Sequence, residues 1–242
     1  MSASTSSRNS IKNRLLAALP LEEYSRLLPN LETLPLLFKQ VLYEPNQAID
    51  YVYFPNHGVV SVLNIMENGQ AVEVATVGNE GMIGLPVFLG ADKSLQQAFA
   101  QIPGDAMRMR VDVFKDKVTP GSSLHHLLQR YTQALFNQVA QSAACNRLHP
   151  IEERCSRWLL MTRDRVGTDQ FPLTHEFLSQ MLGVRRASVT VVAGILQKAG
   201  LIEYSRGKIT ILNREGLEAS CCECYRIIKA EYDRLLNGTS RY

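Results

Sequence analysis

The sequence predicts an α+β fold in three successive parts: an antiparallel β domain, one long helix and a smaller, mainly helical domain. Short alternating apolar runs, separated by Pro, Gly and Asn, fill residues 34–114. Neither Gly nor Pro occurs in residues 122–148, and apolar residues recur at helical spacing beyond them. A length of 242 residues suits two domains. The predicted boundaries are 1–30 for a disordered start and short helices, 31–120 for the β domain, 121–148 for the long helix and 149–236 for the helical domain.

Composition indicates an ordinary soluble protein with its positive charge in the C-terminal half. The apolar fraction is 45% and the net charge is only +3. From Asn146 onward there are 15 Lys and Arg against 11 Asp and Glu, whereas the rest of the chain has 11 against 12. No apolar run is long enough to span a bilayer, and the Ser-rich start lacks the apolar core of a signal peptide. We therefore expect a cytoplasmic protein with no membrane partner, whose five cysteines are reduced.

The N-terminal part begins with a polar stretch, and we expect Met1 to Asn9 to be disordered. One or two short helices are predicted over 11–28, with Pro20 near the start of the second.

The β domain is predicted from strands at near-regular spacing, at 51–54, 59–63, 72–77 and 107–111. Turn signals stand between the strands at 45–46, 55–58, 67–69 and 103–105. The Asn-Gly pair in 67–70 is typical of a tight hairpin. Many short strands of this kind favour a small antiparallel barrel or roll.

The long helix carries a stripe at alternating four- and three-residue steps, which is typical of a coiled-coil seam. The stripe consists of Leu124, Leu128, Tyr131, Leu135, Gln138, Ser142 and Cys145. We expect residues 122–148 to form a homodimer contact; the alternative is that the helix packs on its own β domain, and a long helix can do both. Pro150 marks a hinge into an amphipathic helix over 151–166, whose Trp158 is expected in the core of the last domain.

Residues 171–211 predict a helix, a Gly turn, a second helix and a hairpin. Thr174 can cap the first helix, and Gly183 can end it in the left-handed conformation. Two short strands at 201–204 and 208–211 follow, with the turn at 205–207. The expected buried faces are Phe177, Leu178, Met181 and Leu182 on the first helix and Val189, Val192, Ile195 and Leu196 on the second. The arrangement is that of a winged helix-turn-helix.

The second helix presents polar side chains to solvent at its N-terminal end, where a helix in the major groove of DNA meets the base edges. We expect Arg186, Ser188 and Thr190 to contact bases, with Arg185 as a possible addition. Thr174, Arg206 and Lys208 are expected to contact phosphates. The alternative is an ordinary helical hairpin with a solvated basic turn. The hairpin that follows directly favours DNA binding.

The cysteines near the C-terminus, Cys221, Cys222 and Cys224, do not have the two-residue spacing of zinc knuckles. No pair of Cys or His lies nearby in the sequence, so we expect a plain helix rather than a metal or iron–sulfur site. There is also no Gly-rich phosphate loop and no plausible Ser/His/Asp or paired-carboxylate arrangement, so no enzymatic activity is expected. A signalling subunit or a scaffold dimer remains the alternative to a DNA-binding regulator.

Four segments of the chain are distinctive: IDYVYFP at 49–55, GVVS at 58–61, VEVATVG at 72–78 and the region 173–202. Through these segments, and the order of β-roll, long helix and winged helix, the chain resembles Crp/Fnr-type transcriptional regulators from about residue 30 to 235. The resemblance implies a cyclic-nucleotide-binding-like β-roll that senses a signal, a dimer formed through the long helix, and a palindromic site in double-stranded DNA. It also implies RNA polymerase as a partner.

The resemblance also implies an effector pocket, which departs here from the nucleotide-binding pattern. Cyclic-nucleotide-binding members have Gly-Glu-Leu, in which the Glu binds the ribose, and about ten residues later an Arg that binds the phosphate. Here Gly84 matches the Gly, Leu85 replaces the Glu, and Lys93-Ser94 is nearest to the Arg and small-residue pair. An unpaired buried hydroxyl costs about 1–3 kcal/mol, and Lys offers a point charge instead of a bidentate fork. We therefore expect a different small molecule or none, with cyclic AMP or GMP as the alternative. The expected pocket comprises Met82, Ile83, Gly84, Leu85, Lys93 and Ser94.

Two other branches of the family fit less well. The iron–sulfur branch has N-terminal cysteines, but no Cys precedes Cys145, and His57 is the only roll histidine for a heme. The family's Arg-Glu-Thr-Val-Gly-Arg pattern on the recognition helix becomes RASVTV at 186–191, so the operator should differ from the best-known one.

Overall fold

The computed structural model describes residues 11–237, so the prediction for residues 1–9 lies outside the part that it describes. The predicted N-terminal helices are present as α1 (Arg14–Ala17) and α2 (Leu21–Leu27), followed by a 3-10 turn (Leu28–Asn30). Asn13 caps α1, since its side chain accepts from Leu15 N and Leu16 N. The same side chain donates to two carbonyl oxygens of the β domain at 2.9 Å each. The start of the chain is thereby fixed to the β domain.

The N-terminal domain is an antiparallel β-roll, which confirms the predicted fold class. Its elements are β1 (Glu32–Leu36), β2 (Val41–Tyr43), β3 (Tyr51–Ile65), β4 (Ala71–Val77), α3 (Leu85–Phe88), β5 (Gln97–Arg110) and α4 (Val111–Lys117). The sheet has the strand order β1-β5-β3-β4, and β2 pairs with β5 outside this path. The short helix α3 lies between β4 and β5, and α4 follows β5.

Two of the predicted turns, at 55–58 and 103–105, are wrong, because both segments lie inside long strands. β3 and β5 pair along their whole lengths, with register shifts around His57. Gly58 has a φ of +85° at this irregularity, where a side chain would collide with the carbonyl of Ile102. The Pro and Gly residues therefore mark bulges rather than turns. The predicted hairpin at 67–69 is confirmed, with Gly69 at a φ of +79°.

The long helix is α5 (Ser123–Leu148). Ser122 caps its start, because the Ser122 Oγ accepts a hydrogen bond from His125 N at 3.2 Å. The prediction that its apolar stripe is a seam between chains is wrong. Leu124, Leu128 and Tyr131 are at most 1% exposed within this single chain, and the Tyr131 hydroxyl donates to Met82 O of the roll at 3.1 Å. The alternative, that the helix packs on its own β domain, is correct for this part of the stripe, whereas Ser142 and Cys145 contact residues of the C-terminal domain. A different stripe faces outward; it consists of Phe136, Val139, Ala140 and Ala143.

The C-terminal domain has the predicted helix-turn-helix and hairpin, together with a short additional strand, β6. Its sheet order is β6-β8-β7. Ile195 was expected to be buried but is 49% exposed, because it lies one helical step away from the face formed by Val192 and Leu196. The elements are α6 (Ile151–Val166), β6 (Gln170–Pro172), α7 (His175–Leu182), α8 (Arg186–Lys198), β7 (Ile202–Ser205), β8 (Lys208–Ile211), α9 (Arg214–Ala219) and α10 (Cys224–Asn237).

The two domains share one continuous core. The indole N–H of Trp158 donates to Glu73 Oε1 of the roll at 2.8 Å, so Trp158 is an interface residue rather than core of the last domain alone. The rings of Phe99 and Phe177 lie 6.0 Å apart, edge to face, across the same boundary. None of the helices within residues 11–237 has the length and hydropathy needed to cross a membrane.

Candidate nucleic-acid interface and ligand cavity

The helix-turn-helix is built as the sequence predicts. Thr174 Oγ1 accepts from Phe177 N at 3.1 Å and caps α7. Gly183 ends that helix with a φ of +63°, a conformation that a residue with a side chain seldom adopts. The apolar faces of α7 and α8 are buried, including Leu178 and Val189. The turn is therefore held rigidly, and the start of α8 is fixed relative to α7.

The N-terminal end of α8 suits an anionic partner. Arg185 is its N-cap residue in an extended conformation, with no side-chain cap, and the first turn has no acidic residue. The orphan backbone N–H groups of that turn favour negative charge. Arg185 and Arg186 are exposed, and Ser188 is half-buried. Arg186 lies 4.0 Å from Glu176, with both side chains more than 60% exposed, so this ion pair restrains it only weakly.

Thr190 is exposed as predicted, but its hydroxyl has partners within the chain. Oγ1 lies 3.1 Å from His175 Nδ1 and 3.2 Å from the carbonyl of Arg186. The His175 ring also stacks on Tyr204 of β7, with centroids 4.3 Å apart. Burial and the positive charge of Arg186 lower the pKa of His175 below its usual value, which favours the neutral ring.

His175 is a residue of this surface that sequence reasoning missed. It links α7, α8 and the hairpin, yet its partners stand 15 and 29 positions away, and nothing in one sequence signals those contacts.

The hairpin forms the wing beside the start of α7. Arg206 and Gly207 have φ values of +49° and +76°, as the mirror-image turns of tight hairpins require. Leu173 N donates to Gly207 O at 2.9 Å, so the wing tip lies against the residue that precedes Thr174. The structure therefore brings together the predicted phosphate contacts Thr174 and Arg206, and both are exposed. The third predicted contact, Lys208, is also exposed and begins β8.

A cavity of about 410 Å³ lies between the β-roll and α5. Of the predicted effector residues, Met82, Ile83, Gly84 and Leu85 line it. The helix wall consists of Thr132, Leu135, Phe136 and Val139. Among residues 11–237, the lining side chains are mostly apolar and none is charged.

Lys93 and Ser94 do not line this cavity. The backbone N–H of Asn46 donates to Ser94 O at 2.7 Å, and Lys93 forms a bridge with Ala48. The Ser94 hydroxyl donates to Gln96 at 2.9 Å, and Lys93 is exposed. These contacts hold the pair at the β2–β3 connection, where Ser94 reaches the cavity through its neighbour Gln96.

The segment that leads into the cavity is joined to the C-terminal domain by a buried ion pair. Glu80 Oε1 accepts from Arg165 Nε of α6 at 2.8 Å, with both side chains less than 10% exposed. Arg165 also donates to Gln138 of α5 at 3.2 Å. One guanidinium thus connects the roll, the long helix and the C-terminal domain.

Comparison with known proteins assigns both halves of the chain. The model of the Crp-like helix-turn-helix domain matches residues 153–220. The model of the cyclic nucleotide-binding domain matches residues 38–119. Together these models match more than half of the chain.

Several known proteins are similar to this chain over most of its length. The global nitrogen regulator of a Nostoc species is 21% identical over 181 residues, which cover 71% of this chain and 81% of that protein. FixK2 from Bradyrhizobium japonicum has a TM-score of 0.68 at 15% identity, covering 79% of this chain and 98% of that one. TTHB099, a CRP-family transcriptional regulator from Thermus thermophilus, has a TM-score of 0.66 at 18% identity, covering 77% and 95%.

Proposed function

The chain belongs to the Crp/Fnr family of transcriptional regulators, and on that premise we propose that it binds a two-fold symmetric site in double-stranded DNA as a homodimer. The observation that carries the proposal is the exposed, acid-free start of α8 with its two arginines, held beside a basic wing. A contact with RNA polymerase, which the sequence resemblance implied, stays a prediction.

We assign direct base contacts to Arg185, Arg186 and Ser188. A guanidinium can pair bidentately with guanine, and Arg186 has only a weak competitor in Glu176. Thr190 is assigned differently, because its hydroxyl is already shared with His175 and the carbonyl of Arg186. Its role in this proposal is to fix the orientation of α8 on α7, with the methyl group left to contact a base edge.

The proposed dimer contact is the outward stripe of α5. Phe136 is 66% exposed and Val139 is 36% exposed, and both continue toward Ala140 and Ala143. Small residues let two helices approach closely, and a large exposed aromatic side chain gains from burial in a partner surface. A two-fold axis along paired α5 helices would place two copies of α8 for the two halves of a palindrome.

The proposed effector is an uncharged, largely apolar small molecule in the cavity between the roll and α5. A cyclic phosphate would lie there without a charged partner, since no charged side chain among the described residues lines the cavity. Leu85 stands where nucleotide-binding relatives have the ribose-binding Glu, so a sugar hydroxyl would also lack its acceptor. The cavity volume of about 410 Å³ lies in the usual range for small-molecule sites.

The DNA-binding proposal is tested by selecting preferred sites from random duplexes with the full chain, then titrating Arg186→Ala in gel shifts. Loss of a bidentate contact should weaken the binding free energy by about 1–3 kcal/mol, which raises Kd about 5- to 150-fold. It should also relax selectivity at one position of each half-site. Arg226→Ala is the matched control, because Arg226 is an exposed arginine on α10, outside the helix-turn-helix. Equal behaviour of the two variants would contradict the assignment of α8 to the major groove.

A further inference from the structure

The C-terminal cysteines do have partners, at the far end of the long helix. Cys145 and His149 lie one helical turn apart at the end of α5, and Cys222 and Cys224 lie at the start of α10. Their ligand atoms all lie within 4.8 Å of one another. The partners are 75 and 77 residues apart in the sequence, so the absence of a nearby Cys or His pair in the sequence does not mean that these cysteines lack partners in the fold.

Two of the distances between these atoms are close to those in a tetrahedral zinc site. Cys145 Sγ lies 3.6 Å from Cys222 Sγ, and Cys224 Sγ lies 3.5 Å from His149 Nδ1. Zinc bonds of about 2.3 Å to sulfur and about 2.0–2.1 Å to nitrogen at the tetrahedral angle place two sulfurs about 3.8 Å apart. The same bonds place a sulfur and a nitrogen about 3.6 Å apart. Both pairs are therefore already close to the separations that zinc requires.

We propose that Cys145, His149, Cys222 and Cys224 bind one Zn²⁺ ion through three thiolates and Nδ1. Three soft thiolates with one imidazole are a preferred zinc donor set, and four protein ligands leave no open position for catalysis. All three cysteines are buried and the histidine is half-buried, as a closed structural site requires. A set this compact encloses a single ion rather than a cluster of several irons.

The surroundings of the four residues support a cation with an anionic ligand shell. His149 Nε2 lies 3.3 Å from Glu223 Oε2, the arrangement that orients a metal-binding histidine and raises its basicity. Gln141 Nε2 donates to Cys224 Sγ at 3.1 Å, a contact that stabilises a thiolate. The guanidinium groups of Arg154 and Arg157 interact electrostatically with the Cys145 sulfur. They offset the single negative charge that three thiolates leave on a zinc site.

The site would clamp the beginning of α10 onto the end of α5, directly before Pro150, where α6 begins. α10 packs along α5, and Asn137 donates to Glu231 at 2.7 Å farther along the same contact. Zinc would therefore fix the direction in which the chain leaves α5 for the C-terminal domain. This role does not depend on the proposed effector or operator.

The metal content of the purified full-length chain, expressed in zinc-supplemented medium, tests the proposal. Elemental analysis by plasma mass spectrometry should find about one zinc ion per wild-type chain. In Cys222→Ser and His149→Ala the zinc content should fall below about a tenth of an equivalent per chain. Cys221→Ser is the matched control and should keep its zinc, because Cys221 is the neighbouring cysteine that lies outside the group. Replacement of zinc by Co²⁺ in the wild type should give the intense visible bands of tetrahedral cobalt and thiolate-to-cobalt charge transfer. Cys224→Ser should weaken the charge-transfer band.

The cobalt measurement on the wild type keeps the test valid even where a variant fails to fold, and circular dichroism identifies such a variant. Wild-type protein with less than about a tenth of an equivalent of zinc and no cobalt spectrum would overturn the proposal. So would zinc retained in both Cys222→Ser and His149→Ala, or a Cys145–Cys222 disulfide in protein purified without oxidant. An iron–sulfur absorption spectrum would overturn the assignment to zinc.

Discussion

Glu73 is a half-buried residue whose carboxyl group lies between the two domains, and its replacement by Gln should change how stability depends on pH. Ser61 Oγ donates to Glu73 Oε2 at 2.7 Å, and Trp158 Nε1 donates to Oε1 at 2.8 Å. Burial raises the pKa of Glu73 to about 7, although those two hydrogen bonds and the charges of Arg157 and Arg165 favour the ionised form. The group thus changes charge near neutral pH, at the contact between the roll and α6.

The size of the effect follows from the difference between the folded and unfolded pKa values. The unfolded value is about 4.5, so the folded carboxyl keeps its proton over about 2.5 additional pH units. Each unit corresponds to about 1.4 kcal/mol, which gives about 3 kcal/mol in total. Because the folded pKa is raised, the stabilisation of about 3 kcal/mol is fully present below about pH 4.5. It declines as the pH rises and is lost above about pH 7. Glu73→Gln is neutral at every pH and should lack that loss.

Denaturant unfolding of the wild type and Glu73→Gln at pH 5 and pH 8 measures this difference. The free energy of unfolding of the variant, relative to that of the wild type, should rise by about 2–3 kcal/mol from pH 5 to pH 8. Glu67→Gln is a suitable control, because this exposed glutamate lies in the β3–β4 hairpin loop. Equal pH dependence in the wild type and Glu73→Gln would refute the view that burial holds the proton on Glu73.

Three further predictions concern the ion pair, the dimer and the helix cap. Glu80→Gln leaves Arg165 buried and without its carboxylate, so the free energy of unfolding should fall by about 3–5 kcal/mol. Glu32→Gln breaks an exposed ion pair with Arg108 and is the control; an equally small loss in both variants would contradict the prediction. Phe136→Glu puts a charge into the proposed dimer contact, and sedimentation should detect monomers; an unchanged dimer would exclude that stripe. Thr174→Ala removes the α7 cap, so thermal unfolding should show a loss of about 1 kcal/mol of stability, and DNA binding should weaken. Unchanged stability would contradict the capping role of Thr174, and unchanged DNA affinity would contradict its proposed phosphate contact.

The parts of the fold that sequence could predict are those fixed by local interactions. The capping of α7 by Thr174, its end at Gly183 and the two-residue hairpin turn all depend on residues close in the chain. The stripe on α5 shows the limit, since an apolar heptad pattern looks the same whether it packs on a second chain or on its own roll. Only the pairing of β3 with β5 revealed that Gly58 lies in a bulge, because the bulge is defined by the opposite strand.

The candidate sites also differ in how far the sequence could predict them. The exposed position of Arg185 and Arg186 at the start of α8 was predictable, because a helix start is a local feature. The cysteine group was not, since its two halves are separated by the entire helix-turn-helix and meet only when α10 folds back onto α5. Lys93 matched a family pattern by position alone, but it bridges to Ala48, is exposed and does not line the cavity.

α6 is the element on which these contacts converge, and this explains how a ligand in the roll could influence DNA binding. Arg165 of α6 pairs with Glu80, two residues before the cavity residue Met82, and Trp158 of the same helix contacts Glu73 on β4. A ligand that displaced the segment after Glu80 would disturb the buried ion pair between Glu80 and Arg165. Partly separated positions of these two side chains are costly, because each buried charge would lose its partner. The domain contact is therefore expected to have two discrete arrangements rather than a continuum, as an allosteric switch requires.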